Sequence, residues 1–466
     1  MVKFILNREL METDVPHGMT LLDFVRYKQN LKAVKIGCRE GDCGACTMLI
    51  GTSDGSEIRY KSVTSCITPI ANLNGKHVVS LEGLNMDELS PVQNAMVENS
   101  GTQCGFCTPG FVVSLTGYCI SSKPVDIENA IESIDGNICR CTGYKAIERA
   151  AVQVVNSLTK KNLTNSLQWA IDEKYIPEYF SGIKMRLDAI PEVELTGVMV
   201  IGGGTDLYVQ KHDHMEEQQT MSPASSKQKE KIVQINQGVC TISASAVVSD
   251  LLDSEEFNLI FKDLKKHLKL VSSTPIRNIG TVAGNFVNAS PIGDLTVFFL
   301  ALNTSLVLLN KKSKERIVPL NEFYKGYKLL DINPDEIAVR LFFLVPTPGK
   351  KFNFEKVCKR QFLDIASVNT ACNISLDNSH CIEQVTISAG GVGPIPMVLN
   401  NFCAALIGKK LEASLIKVGL VRLQDDINPI SDVRGSAEYK SFLLEQLIKA
   451  HFITLFPDLI KAEEMV

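Results

Sequence analysis

The sequence predicts a multidomain α+β chain, and three observations carry that expectation. Its 466 residues exceed what one ordinary core encloses, at roughly 100–200 residues per domain. Eight of its cysteines fall into two tight groups before residue 142, across a change from a β-rich opening to helices. Beyond about residue 185 strands and helices mix again, punctuated by glycine runs.

Residues 1–82 read as a small β-rich unit. "KFILN" and "TMLI" suit strands, and "TLLDFVRYK" suits a helix, with Thr20 as N-cap and Leu21, Leu22, Phe24 and Val25 on its apolar face. Residues 83–158 hold four helix-like segments, "SPVQNAMVENS", "GFVVSLTGYCISS", "VDIENAIESI" and "YKAIERAAVQVVNSL". Start signals such as Ser90-Pro91 and short breaks between them predict a compact four-helix unit. Residues 159–184 are polar and mixed, and are expected to form a linker. In 185–345, "GVMVIGGG" is an apolar strand entering glycines, "TISASAVVSDLL" a strand then a helix, and "LTVFFLALNTSLVLLN" a buried helix then a strand. The polar tract 212–231 is expected to be an exposed loop. A last unit, 346–466, opens with the strands "FNFEKVCKR", "VNTACNISL" and "CIEQVTISAGG" and continues in helices.

Composition is that of a globular protein, 45% hydrophobic and 21% charged. A net charge of −4 gives no reason to expect nucleic acid or an anionic membrane as partner. No apolar run approaches the roughly 20 residues that span a bilayer, and "MVKFILNREL" lacks the pattern of a signal peptide. The expected location is the cytoplasm. Fourteen cysteines are many for that compartment, and their clustering points to metal or redox chemistry rather than disulfides.

Cys38, Cys43 and Cys46 have C-x4-C-x2-C spacing, and Cys66 follows after nineteen residues. That is the plant-type [2Fe–2S] arrangement of three close thiolates and one distant one. Gly37, Gly41 and Gly44 let the loop wrap a compact cluster with backbone N–H groups turned toward its sulfides. Structural zinc and simple burial are the alternatives, but zinc favours two short pairs.

Cys104 and Cys107 form C-x2-C, and Cys139 and Cys141 form C-x-C, with thirty-one residues between the pairs. Both pairs precede expected helices, whose N-terminal dipoles help to keep thiolates ionised. Four sulfurs from two helix ends could hold one cluster or one zinc ion. Cys119 falls mid-helix and reads as a core residue.

"VIGGGTDLY" (200–208) is a strand followed by three glycines, a turn that lets backbone approach a pyrophosphate. It is not G-x-G-x-x-G, so no Rossmann unit is expected. "TPIRNIGTVAGNFVNASPIGDL" (274–295) is too apolar for a solvated loop and too rich in glycine for a helix. A buried loop against a large ligand explains it, as would a core β-turn-β unit.

Together, "KIGCREGDCGACTM" and "QCGFCTPGF…GNICRCTGY" resemble the two iron–sulfur motifs of the molybdenum hydroxylase family, which includes xanthine dehydrogenases, aldehyde oxidases and carbon monoxide dehydrogenases. The resemblance covers residues 2 to about 155. It implies a ferredoxin-like β-grasp domain with Cys38, Cys43, Cys46 and Cys66 on one [2Fe–2S] cluster. A four-helix domain follows, with Cys104, Cys107, Cys139 and Cys141 on a second. Gln103 matches the family glutamine close to the pterin of the molybdenum cofactor. The glycine stretches resemble FAD-binding segments of the vanillyl-alcohol-oxidase fold. Ile201, Gly202, Gly203, Gly204, Thr205 and Asp206 match the pyrophosphate loop, and Thr281, Gly284, Asn285 and Asp294 match the second segment. Ala283 stands where the family usually has glycine, a departure that costs something if positive φ is needed. "EKVCKRQFLDIA" (355–366) and "GGVGPIP" (390–396) resemble the C-terminal α/β domain of the carbon monoxide dehydrogenase flavoprotein type, where Lys356 would lie near the flavin ring.

The resemblance also implies that the chain stops where the family's molybdenum-binding domains would begin. A partner large subunit is therefore expected, in a heterodimer repeated as a heterotetramer. The arrangement resembles the iron–sulfur and FAD subunit of bacterial two-chain xanthine dehydrogenases, which would relay electrons from the partner's molybdenum-pterin cofactor through two clusters to FAD and then NAD. No catalytic acid or base is expected in this chain. The rivals are the same relay in an aldehyde or N-heterocycle hydroxylase, a stand-alone NADH-dependent flavin/iron–sulfur reductase, and a zinc-binding scaffold.

Overall fold

The computed structural model describes residues 1–466 apart from 192–193, 198, 228–230, 348, 361–362 and 466, and apart from the side chains of 226 and 227. Chain contacts divide it into two compact units, Met1–Lys227 with Ser273–Gly280, and Gln228–Ser272 with Thr281–Val466.

The first unit opens with a five-stranded sheet of β1 (Val2–Leu6), β2 (Glu9–Thr13), β3 (Thr47–Ser53), β4 (Ile58–Thr64) and β5 (His77–Val79), in the order β2-β1-β5-β3-β4. β1 and β5 pair in parallel and the other neighbours antiparallel. Side chains alternate between its faces. Phe4, Leu6, Met48, Ile50 and Val78 join Leu21, Leu22, Phe24 and Val25 in one core. Ile5, Leu49, Tyr60 and Val79 turn to the other face and join the helices that follow. Burial on both faces explains why these strands read as apolar runs. Thr20 caps the expected helix, accepting from the Asp23 N–H at 3.2 Å, and the chain continues through a wider turn to Lys28.

The four expected helices are present as Pro91–Glu98, Thr108–Ile120, Ile127–Ser133 and Lys145–Ser157. Ser90 and Gln93 form a reciprocal capping box on the first, and Asp126 caps the third. Every residue from Gly110 to Ile120 is buried, because this helix lies between the sheet and its companions. Cys119 is fully buried within it, and burial pushes its thiol up to about 12.

The stretch 159–184 is more than a linker. It contains the helix Ser166–Asp172 and the 3-10 turn Glu178–Gly182, and it buries Ala170, Tyr175, Ile176 and Phe180 in the helical core. Its apolar residues are spaced too irregularly among polar ones to show a stripe. The tract 212–231 also departs from an exposed loop. It forms the helix His212–Glu216 and the strand Met221–Pro223, which pairs in parallel with Met199–Ile201, and it buries Met215 and Met221. Much of the docking is by backbone, which composition cannot reveal: the Gly18 N–H donates to the Gln218 carbonyl, and the Met221 N–H to His17 Nδ1.

The second unit holds an antiparallel sheet in the order Glu315–Pro319, Ser305–Asn310, Glu336–Leu344, Val239–Ser243, Val233–Asn236. Its core is rich in phenylalanine, with Phe257, Phe286, Phe298, Phe299 and Phe343 all buried. A second antiparallel sheet, Lys351–Val357, Val368–Leu376, Ile382–Gly390 and Met397–Val398, carries the long helix Ala437–Leu455 against its first two strands.

A buried polar chain runs through this unit. Asn353 contacts His451 Nδ1 at 3.0 Å and His267 Nε2 at 3.1 Å, and His451 Nε2 lies 3.4 Å from Thr370 Oγ1. Burial, with His267 nearby, lowers His451 from its ordinary value to about 3. A histidine kept neutral in the fold but protonated in the unfolded chain costs stability as pH falls below about 6.5. The second unit is expected to lose about 1–2 kcal/mol between pH 7 and pH 5 on this account. His451→Gln should flatten the dependence in denaturant melts, and an unchanged slope would refute the assignment.

Candidate functional site

In the first cysteine group, the thiols of Cys38 and Cys43, Cys38 and Cys66, and Cys46 and Cys66 lie within hydrogen-bond reach of one another. The N–H groups of Glu40, Asp42 and Cys43 converge on Cys38 Sγ at 3.3, 3.3 and 3.4 Å. Hydrogen bonds from Cys43 and Cys66 hold the Cys38 thiol well below the ordinary range, and the hydrogen bond from Cys66 lowers Cys46 as well. Two glycines are required by shape. A Cβ at Gly37 would meet Cys43 Sγ at 2.6 Å, and Gly44, at φ +66°, would meet the Gly136 carbonyl oxygen at 2.3 Å.

The second group also converges. Cys141 Sγ lies 3.6 Å from Cys104 Sγ, and the Cys107 thiol hydrogen-bonds that of Cys139. Cys107 is the N-cap of Thr108–Ile120, and Cys139 and Cys141 precede Lys145–Ser157, as the spacing predicts. Burial raises the Cys139 thiol, but the Thr142 hydroxyl at 3.1 Å and its N–H at 3.4 Å bring it below its ordinary value. Gln103, Cys104, Phe106, Cys141 and Tyr144 are all exposed around this group. Four sulfurs with anion-directed donors fit a thiolate-held cluster in both places.

Hydrogen bonds join the segments that carry the two groups, and nothing in the sequence signals them. The Ile138 N–H donates to the Cys43 carbonyl at 3.0 Å, one residue before Cys139. Asn137, buried, donates from Nδ2 to the Gly44 carbonyl at 3.0 Å and accepts from the Ser114 hydroxyl at 2.8 Å.

The expected pyrophosphate loop lies in the first unit. Ile201 ends its strand, Gly202 and Gly203 follow, and Gly204, at φ +81°, starts the helix Thr205–Gln210 that holds Thr205 and Asp206. A Cβ on Gly203 would meet the Ile279 carbonyl oxygen at 1.9 Å, so the loop lies against backbone there. Asn72, six residues beyond Cys66, donates to the Gly202 carbonyl at 2.9 Å.

The residues of the expected second segment lie in the second unit. Thr281 caps the helix Val282–Asn288 by accepting from the Gly284 N–H at 3.1 Å. Ala283 takes ordinary helical backbone there, so alanine carries no penalty. Asn285 Oδ1 accepts from the Thr296 N–H and hydroxyl. Asp294 and Lys356, expected separately as flavin contacts, form an ion pair of 2.7 Å with the lysine side chain buried. Asn369, which the sequence did not single out, donates to the other Asp294 oxygen at 2.6 Å. Of the segment 355–366, residues 361 and 362 lie outside those described.

Four families match in succession along the chain. They are a 2Fe-2S iron-sulfur cluster binding domain over residues 4–71, a [2Fe-2S] binding domain over 80–152, the FAD binding domain in molybdopterin dehydrogenase over 188–347, and the CO dehydrogenase flavoprotein C-terminal domain over 354–455. Xanthine dehydrogenase of Emericella nidulans is 28% identical over 95% of this chain and 38% of its own length. Aldehyde oxidase 1 of Bos taurus is 26% identical over 95% and 38%. The chain thus spans under two fifths of the length of these curated relatives. Among solved structures, carbon monoxide dehydrogenase from Hydrogenophaga pseudoflava superposes with a TM-score of 0.53 at 20% identity, over 57% of this chain and 92% of that one, a likeness of fold alone. With both thiolate groups formed and all four domains matched in order, the chain belongs to the molybdenum hydroxylase family, of which it carries the iron–sulfur and flavin domains.

Proposed function

We propose that this chain is the electron-transfer subunit of a molybdenum hydroxylase, and that the hydroxylase is a xanthine dehydrogenase. Its substrate would be oxidised on a partner large subunit that holds the molybdenum-pterin cofactor, in a heterodimer repeated as a heterotetramer. NAD is the acceptor in this reading. The cytoplasm is the compartment, where fourteen thiols would stay reduced.

The observation that carries the relay is the Ile138-to-Cys43 hydrogen bond, which joins the two thiolate groups through backbone alone. Bound clusters would supply one-electron steps, and bound FAD the conversion to a two-electron hydride. The chain's residues hold and space those groups. Cys38, Cys43, Cys46 and Cys66 would ligate one cluster, and Cys104, Cys107, Cys139 and Cys141 the other. Gly202, Gly203, Gly204 and Thr205 would approach the FAD pyrophosphate, while Thr281, Gly284 and Asn285 would contact the cofactor and Asp294 and Lys356 would order its loop. Gln103, with the exposed Phe106 and Tyr144, would face the partner and its pterin.

The test is to purify the chain with whatever binds it and add xanthine without oxygen. Bleaching of flavin and iron–sulfur absorption is expected, with NADH formed when NAD is added. Bleaching by NADH but not xanthine, in a preparation containing molybdenum, would refute the purine reading. Aldehyde oxidases stand among the relatives at similar identity, so an aldehyde is the second substrate to try. A molybdenum-free monomer that reduces acceptors with NADH would mean a stand-alone reductase.

A further inference from the structure

The helix His212–Glu216 lies in the polar tract whose role the sequence does not explain. His212 and Glu216, four residues apart, meet two groups of the β-grasp domain. Arg39 holds both oxygens of Asp23 at 2.7 Å, and its guanidinium lies 3.3 Å from His212 Nε2. Thr20 Oγ1 lies 2.7 Å from Asp23 Oδ2 and 3.3 Å from Glu216 Oε1. A hydroxyl has one proton to give, so it serves one carboxylate and leaves the other facing a like charge. Asp23, gripped by Arg39, stays ionised. Glu216, with His212 Nε2 3.6 Å away, is the group left to carry a proton, and its side chain is 32% exposed, so solvent can deliver one. Tyr27 and Tyr208 are further titratable groups facing this cluster, and the Tyr208 hydroxyl is spent on the Gly18 carbonyl.

Arg39 is also the residue after Cys38. It sits at φ +61°, at the head of the turn whose N–H groups aim at Cys38 Sγ. The ion pair therefore fastens that turn to the carboxylate cluster.

We propose that Glu216 is a redox-linked proton site: it binds a solvent proton more tightly once an electron is added at Cys38, Cys43, Cys46 and Cys66, taking up at most one proton per electron, and releases it on reoxidation. The electron comes from the second thiolate-held centre in turnover, or from dithionite in a titration, and the proton taken up offsets part of the added negative charge. This rests on the reading of those four cysteines as a one-electron cluster site. Burial, then the neighbouring Asp23, push the Glu216 carboxyl up to about 7, where physiological pH samples both forms. Ligand atoms of Asp23, His212 and Glu216 also lie within 4.8 Å of one another, as a metal would require, but Arg39 already fills the cation's place.

The test is a redox titration of the full, cluster-loaded chain followed by electron paramagnetic resonance, between about pH 5.5 and 8.5. The potential of one cluster signal is expected to fall as pH rises. A tenfold rise in proton affinity on reduction corresponds to 59 mV for one electron. The dependence should vanish in Glu216→Gln and in Glu216→Ala. A dependence that persists in either variant overturns the proposal, and a flat wild-type potential overturns it alone while sparing the cluster reading. A wild type with no iron–sulfur signal overturns both. One Zn²⁺ bound per loaded chain and lost in Glu216→Gln would overturn it in favour of a metal site.

Discussion

Cys46→Ser is expected to abolish one iron–sulfur signature and leave the other intact, lowering iron from about four to about two atoms per chain. Cys46 is buried, and its thiol is held below the ordinary range by the hydrogen bond to Cys66. Its carbonyl accepts from the Ser65 hydroxyl at 2.7 Å, so backbone geometry there does not depend on the sulfur. Serine nearly matches cysteine in shape but does not ionise at neutral pH, so the site loses a thiolate rather than its fold. Cys119→Ser is the control, since that sulfur lies mid-helix in the core and should leave both signatures unchanged. Full iron content in Cys46→Ser, measured with the paramagnetic signal of each reduced centre, would refute the ligand assignment.

Arg277→Met is expected to destabilise the first unit by about 3–5 kcal/mol, lowering its melting temperature by on the order of 10 °C. Arg277 is 1% exposed. It pairs with Asp135 at 2.7 Å and lies 3.5 Å from Glu132, while Asp135 Oδ1 also accepts from the Thr274 N–H. Removing the guanidinium takes the 2.7 Å counter-charge from the buried Asp135 carboxylate, which costs more than the pair itself contributes. Adding Asp135→Asn should recover part of the loss, because the amide oxygen still accepts from Thr274 and one stranded charge is gone. The same variant should lower FAD retention, since Ile279, two residues on, backs Gly203 in the glycine loop. A single variant melting within about 2 °C of the wild type would show that the pair is dispensable.

The cysteine spacings were legible because a cluster loop is local: three ligands, their glycines and the donors that face them all lie within Gly37–Cys46. The helical unit was legible for the same reason, since capping residues and apolar stripes act within one or two turns. Long-range partners were not. Lys356 and Asp294 are 62 positions apart and each reads as a cofactor contact, yet they pair with one another. The tract 212–231 reads as an exposed loop on its polarity, although two methionines and backbone hydrogen bonds dock it.

The sequence by itself determined the chemistry the chain can hold, because thiolate number and spacing and the glycine positions are properties of short segments. Only the tertiary structure decided how those segments are shared out. The stretch 274–295 reads as one motif, but packing divides it after Gly280, since Arg277 finds its buried carboxylates in the helical domain while Val282 and Phe286 join the phenylalanine core of the second unit. It likewise set Ile138 on Cys43 and Glu216 beside Asp23, because hydrogen bonds and like-charge repulsion depend on distance through space, which chain order does not encode.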